Sequence, residues 1–188
     1  MKWLAGICAI AVLAAATTAR ASTEVKSGPQ AGDKIGPFDV VKCAGADDDG
    51  VSVGDKLCYR CKYGAKPMVM VFTRNSDEIA GLVKKLDKAV EKNSDKQLKA
   101  FVNIVGESRS DAESSAKSFA KDNGVENLPI VVPEESTNGP DDYGINPDAV
   151  VTVIVARDGK VVASHGYTGV PDSDDIKQIM QDVHKAIE

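Results

Sequence analysis

Residues 67–73, Pro-Met-Val-Met-Val-Phe-Thr, are apolar at both alternating sets of positions. Successive side chains of a strand point to opposite faces, so such a run belongs in a sheet covered on both sides, as a central strand of an α/β domain is. The residues that follow agree with this. Ile79, Leu82, Val83, Leu86 and Val90 recur at helical spacing, with Lys84, Lys85, Lys88 and Glu91 on the opposite face, and predict a helix over about 76–92. Asn75 with Glu78 three residues later resembles a capping box at its start.

The alternation continues down the chain. Residues 98–105 read as a second strand, and 110–122 as a second helix with Ala112, Ala116, Phe119 and Ala120 inward. Asn123-Gly124 supplies a left-handed C-terminal cap. A short strand at 128–132 precedes a polar loop and one turn around 141–144. Residues 150–155 and 160–164 flank Arg157-Asp158-Gly159, a hairpin signature. The last element, 173–187, carries Ile176, Ile179, Met180, Val183 and Ile187 as the apolar face of a helix. Ahead of the central strand, 35–41 reads as a short edge strand and 43–57 as a turn-rich loop. That loop holds Asp47-Asp48-Asp49-Gly50, but lacks the spacing and distal glutamate of an EF-hand, and an ordinary acidic turn is the simpler reading than calcium.

The first residues form a separate unit. Met1-Lys2, an apolar run over 3–16 and the exit Ala19-Arg20-Ala21 have the pattern of a secretory signal peptide, too short for a membrane span of about 20 residues. Cleavage after Ala21 removes Cys8 and Trp3, the single tryptophan of the 188 residues. What remains divides into a loose polar arm at 22–34 and one domain at 35–188, a size that buries roughly 70% of its unfolded surface. Its formal charge, −5 for the whole chain, becomes more negative once Lys2 and Arg20 leave. No basic stripe with interleaved aromatics is present, so nucleic acid is not an expected partner. No transmembrane segment is expected after cleavage, and export to a periplasm or the exterior is.

Three cysteines then remain in an oxidising setting: Cys43, Cys58 and Cys61. Cys58-Tyr59-Arg60-Cys61 is a Cys-x-x-Cys pair, and three chemistries suit it. It is a redox pair, a structural disulfide, or part of a metal site completed by Cys43 and His165. As a staple it is weak. Chain-entropy arithmetic gives its small ring only about 2 kcal/mol, against roughly 3 kcal/mol for a Cys43–Cys58 loop. Lys56, Arg60, Lys62 and Lys66 lie nearby in sequence and favour a thiolate. His165 sits near the end of the hairpin, where a surface histidine is the plain reading. No cofactor is implied; a haem would need histidine where Lys62 stands.

Gly36-Pro37-Phe38, the stretch GAKPMVMVF at 64–72, YGINPDAVVTVIVARDGKVV at 143–162 and Gly166 together resemble the thioredoxin-like superfamily, its peroxiredoxin and redoxin branch in particular. The resemblance implies an α/β thioredoxin-like fold, a central mixed sheet flanked by helices, closing on a hairpin and helix. It also implies where active thiols should be. Thioredoxins place Cys-x-x-Cys, and peroxiredoxins Thr-x-x-Cys, just after the strand matching 67–73. Here that segment is Thr73-Arg74-Asn75-Ser76, with no thiol, so peroxidase activity is not expected and Ser76 is no substitute nucleophile. The family's cis-proline position falls on Val150. Cys58 and Cys61 precede the strand and should lie at the opposite rim.

Two functions from different classes follow. In one, an exported protein exchanges disulfides with a protein thiol partner through Cys58 and Cys61, Cys58 attacking first as in thioredoxins, with Cys43 as relay or structural partner. In the other, a redox-inactive binding module uses its cysteines to brace a loop. The leader itself is directly testable. The exported protein should begin at Ser22 and show no tryptophan fluorescence; N-terminal sequencing that finds Trp3 retained would refute the cleavage site.

Overall fold

In the computed structural model, which describes residues 22–74 and 77–188, the apolar run becomes β3 (Met68–Thr73), buried along its whole length. Around it the described strands form one seven-stranded sheet. The others are β1 (Val40–Ala44), β2 (Lys56–Leu57), β4 (Lys99–Ile104), β5 (Ile130–Pro133), β6 (Val151–Arg157) and β7 (Lys160–Tyr167), in the order β2-β1-β5-β4-β3-β6-β7. β3 runs parallel to β4, with Met68 opposite Lys99, and antiparallel to β6, with Met68 opposite Ala156. The leader and the Asn75–Glu78 capping box both involve positions outside the described residues.

Two apolar layers result, one per face. Val69, Val71, Val102, Ile130 and Val153 point into the first, which is roofed by α2 (Ala80–Lys92), α3 (Arg109–Asn123) and α4 (Ser173–Ile187). Their inward residues are those expected from the 3.6-residue spacing, and Gly124 ends α3 in the left-handed conformation. The second face has no long helix among the described residues. Met68, Met70, Phe72, Phe101 and Ile154 are covered instead by Phe38, Tyr143, Ile145 and a five-residue helix, α1 (Tyr59–Tyr63). Aromatic area replaces helical area there: Tyr59 stacks on Phe101 at 5.7 Å and Phe38 meets Tyr143 edge-on at 5.0 Å. The strands and long helices thus match the α/β architecture expected from sequence, with a 3₁₀ turn at Asp77–Ile79 opening the predicted first helix.

Two segments differ from the sequence reading. The arm at 22–34, expected to be loose, lies along the outer edge of β7. Val25 N donates to Gly166 O (2.8 Å), Val161 N to Asp33 O (2.9 Å), and the buried Ser27 hydroxyl bonds Thr152 (2.6 Å). Those bonds occupy the edge that would otherwise present unpaired N–H and C=O groups. They also explain Gly166, since a Cβ there would collide with the Val25 carbonyl and Ser27.

The second departure is at 40–57. The first strand falls at Val40–Ala44 rather than at 35–41, so Cys43 is a strand residue and not a loop one. Lys42 made that strand unreadable, because its side chain is 1% exposed. Its ammonium donates to Ala46 O (2.7 Å), Val51 O (2.8 Å) and Asp49 Oδ1 (2.8 Å). The acidic turn is therefore organised around the protein's own cation. A buried lysine persists only when paired and fully hydrogen-bonded, and all three donors are used. Asp49→Ala should lower stability in urea unfolding by about 3 kcal/mol, and adding Lys42→Met should restore part of it. A loss below about 1 kcal/mol would mean that the ammonium is solvated.

Candidate functional site

Cys58 caps α1. Its backbone is extended (φ −105°, ψ 100°), and its sulfur accepts the Cys61 N–H at 3.0 Å. Cys58 and Cys61 are joined as a disulfide, with Cα atoms 5.2 Å apart. Cys58 is half-buried and Cys61 exposed. The helix beneath them is fixed from three sides. Leu57, just before Cys58, pairs with Val40 in the sheet. Tyr59, just after it, is 1% exposed and donates its hydroxyl to Asp49 Oδ2 at 2.6 Å. Arg60 Nε donates to Ile35 O at 3.2 Å. Burial first, and the Asp49 bond second, push the Tyr59 hydroxyl well above its ordinary pKa.

The positive surroundings expected from sequence are only partly directed at the sulfurs. Lys56 pairs with Asp39 (3.5 Å) and Glu134 (3.4 Å), and Arg60 is committed to the Ile35 carbonyl. Lys62 and Lys66 line a groove of about 320 Å³ with Tyr63, Lys99, Asp48, Asp49 and Asn127. The pair's most direct electrostatic aid is thus a backbone N–H. Sequence reasoning missed this bond, together with Lys42, Asp49 and Tyr59; Tyr59 between the cysteines was the available signal, since a large aromatic there needs an apolar bed.

Cys43 is not brought to the pair. It lies 4% exposed in the apolar layer roofed by α3, on the opposite face of the sheet from α1, and carries a free thiol. Burial, and then the Glu113 carboxylate, push its pKa up to about 11. His165 is also elsewhere, and the surface position read for it is corrected: it is buried, its Nε2 3.0 Å from Asp182 Oδ2. Burial alone would raise the Asp182 pKa, but bonds from Lys185, Gln178 and His165 outweigh it and hold the carboxyl below its usual range. These placements separate the four residues of the proposed Cys₃His site. Among the described residues no cluster of three or more His, Cys, Asp or Glu is arranged to hold a metal.

Just after β3 stands the segment where the resemblance expects thiols. Arg74 N donates to Val150 O (3.1 Å), and its guanidinium to Thr137 O (2.7 Å) and Asn138 Oδ1 (2.6 Å). Arg74 latches the loop that crosses the second face. Val150 is in a trans peptide, there being no cis bond among the described residues. Asn75 and Ser76 lie outside them. The pair precedes Met68 in the chain, but the opposite rim expected for it is not what the register gives. Leu57, next to Cys58, pairs with Val40 and through it lies level with Pro133, at the end of the parallel strands where β3 reaches Thr73.

This is a thioredoxin-like fold, carrying a Cys-x-x-Cys disulfide ahead of the central strand in the chain rather than after it. Solved structures agree on the fold. A protein assigned as the thiol:disulfide interchange protein DsbE of Chlorobium tepidum aligns with TM-score 0.62 at 16% identity, over 84% of this chain and 98% of its own. One assigned as a protein disulfide isomerase of Bacteroides thetaiotaomicron aligns at 0.60 and 14%, over 87% and 94%. A thiol peroxidase from Chromobacterium violaceum aligns at 0.58 and 16%, over 88% and 92%. No sequence-family model matches the chain, and no curated protein matches it in sequence.

The burial of Cys43 has a measurable consequence. With a pKa near 11, roughly a thousandth of its thiol is ionised at pH 8. Alkylation at pH 8 after mild reduction should label Cys58 and Cys61 within minutes and Cys43 only once the protein is unfolded. Native labelling of Cys43 at the rate of the pair would show that it is not enclosed.

Proposed function

We propose that this is an exported thioredoxin-fold protein that exchanges disulfides with protein thiols through Cys58 and Cys61. One observation carries the reading: the disulfide reaches solvent at Cys61 while Cys58 Sγ already accepts a backbone N–H. Exchange needs an accessible sulfur to attack and a sulfur able to leave with negative charge, and this pair supplies one of each. Both apolar layers are complete without the bridge, so it opens with little cost to the fold. The fold shared with thiol–disulfide proteins supports the class of chemistry, and the leader-like residues 1–21 support export, where such partners occur.

In the oxidising direction a partner thiolate forms a bond to one sulfur of the pair as the Cys58–Cys61 bond breaks. The displaced sulfur keeps the electron pair. A second partner thiolate then attacks the mixed disulfide, leaving the partner oxidised by two electrons and the pair reduced to two thiols. The reverse sequence reduces a partner disulfide.

A brace is the competing reading, favoured by the pinning of α1 through Tyr59 and Arg60. The two separate cleanly. As an exchange site the pair should have a reduction potential above about −300 mV, the usual ceiling for structural disulfides. Cys58→Ser and Cys61→Ser should each lower the stability by less than about 2 kcal/mol, the entropic worth of so small a ring. Glutathione titration and thermal melts measure both. A bridge that stays closed against glutathione, with melting sharply lowered in either variant, would establish the brace.

A further inference from the structure

We infer that Cys61, the second cysteine of the pair, is the sulfur that meets the partner, and that Cys58 is the one that leaves and resolves. This rests on the exchange function proposed above and reverses the order expected from thioredoxins.

The asymmetry comes from how α1 is anchored. Cys58 stands between Leu57, held in the sheet, and Tyr59, sunk among Phe101 and Tyr63 with its hydroxyl on Asp49. It is half-buried and cannot advance toward a bulky partner without releasing one of them. Cys61 lies one turn on, exposed, with exposed Lys62 following. Attack on a disulfide proceeds in line, the nucleophile arriving behind one sulfur as the other departs. Accessibility therefore favours arrival at Cys61.

Charge development favours the same direction. When a partner thiolate bonds to Cys61 Sγ, the S–S bond breaks and its electron pair goes to Cys58 Sγ. That atom already lies 3.0 Å from the Cys61 N–H, which strengthens as a charge-assisted bond without any movement. Attack on Cys58 would instead place the charge on Cys61 Sγ, which has no hydrogen-bond donor among the described residues. A better stabilised leaving thiolate departs faster. In the reducing direction the same path runs backward. The Cys61 thiolate attacks the partner disulfide, and the Cys58 thiolate then attacks Cys61 Sγ, reforming the bridge and releasing the partner as a thiol.

The partner is accordingly a protein whose cysteine stands clear of its own surface, or one of two joined in an exposed disulfide. Two probes test the assignment. Oxidised wild-type protein is mixed with reduced glutathione, quenched with acid at early times, and mapped by mass spectrometry. At least tenfold more glutathione is expected on Cys61 than on Cys58. In the second probe, the reduced single variants are offered insulin, whose disulfides are bulky. Cys58→Ser should accumulate an insulin adduct through Cys61 at least tenfold faster than Cys61→Ser does through Cys58. Glutathione found first on Cys58, or an equal insulin rate through Cys58, overturns this inference and leaves the exchange function standing. Exchange at neither sulfur of the folded wild-type protein overturns both.

Discussion

A strand buried on both faces demands two covers, and the rest of this molecule can be understood from how β3 obtains them. Three amphipathic helices roof one side. Among the described residues only short pieces are left for the other, and rings drawn from separate segments meet the requirement: Phe38, Tyr59, Tyr63 and Tyr143, laid over Phe72 and Phe101 of the sheet. A five-residue helix is too short to be stable alone. α1 exists because Tyr59 and Tyr63, one turn apart, lie down on Phe101. The disulfide is thereby presented on the outward side of a helix whose inward side is part of the core.

A second constraint holds that helix in register. The Lys42 ammonium collects two carbonyls and one oxygen of Asp49, and the other oxygen of Asp49 takes the Tyr59 hydroxyl. Strand, acidic turn and α1 are tied through a single carboxylate. Such a network is worth keeping only when complete, because any missing member strands a charge or a polar atom in low dielectric. Its completeness distinguishes the two cysteines, one locked beside Tyr59 and the other free at the surface. Just after β3 Arg74 joins Thr137 and Asn138, so the segment where the resemblance expects thiols is used to secure a crossing loop.

The long elements were legible in the residues themselves. β3, β4, the hairpin around Asp158-Gly159, α3 with its glycine cap and α4 at 173–187 were all carried by local periodicity or turn chemistry, which act over a few residues. So was the absence of a thiol after β3, and the spacing of the pair before it. β1, β2 and α1 were not legible. Lys42 reads as a solvent-facing residue until a carboxylate seven positions on is seen to receive it, and a two-residue strand has no period. His165 failed for the same reason, its buried state depending on Asp182 of another element.

The sequence by itself determined that this chain builds an α/β sheet of thioredoxin-like order, and that its paired cysteines enter it before the central strand. Both follow from patterns in neighbouring residues. Only the tertiary structure decided which thiols belong together, which of them meets solvent and which is enclosed. Those outcomes turn on the face each side chain takes and on partners far away in the chain, here a buried ammonium, one carboxylate and a bed of aromatic rings.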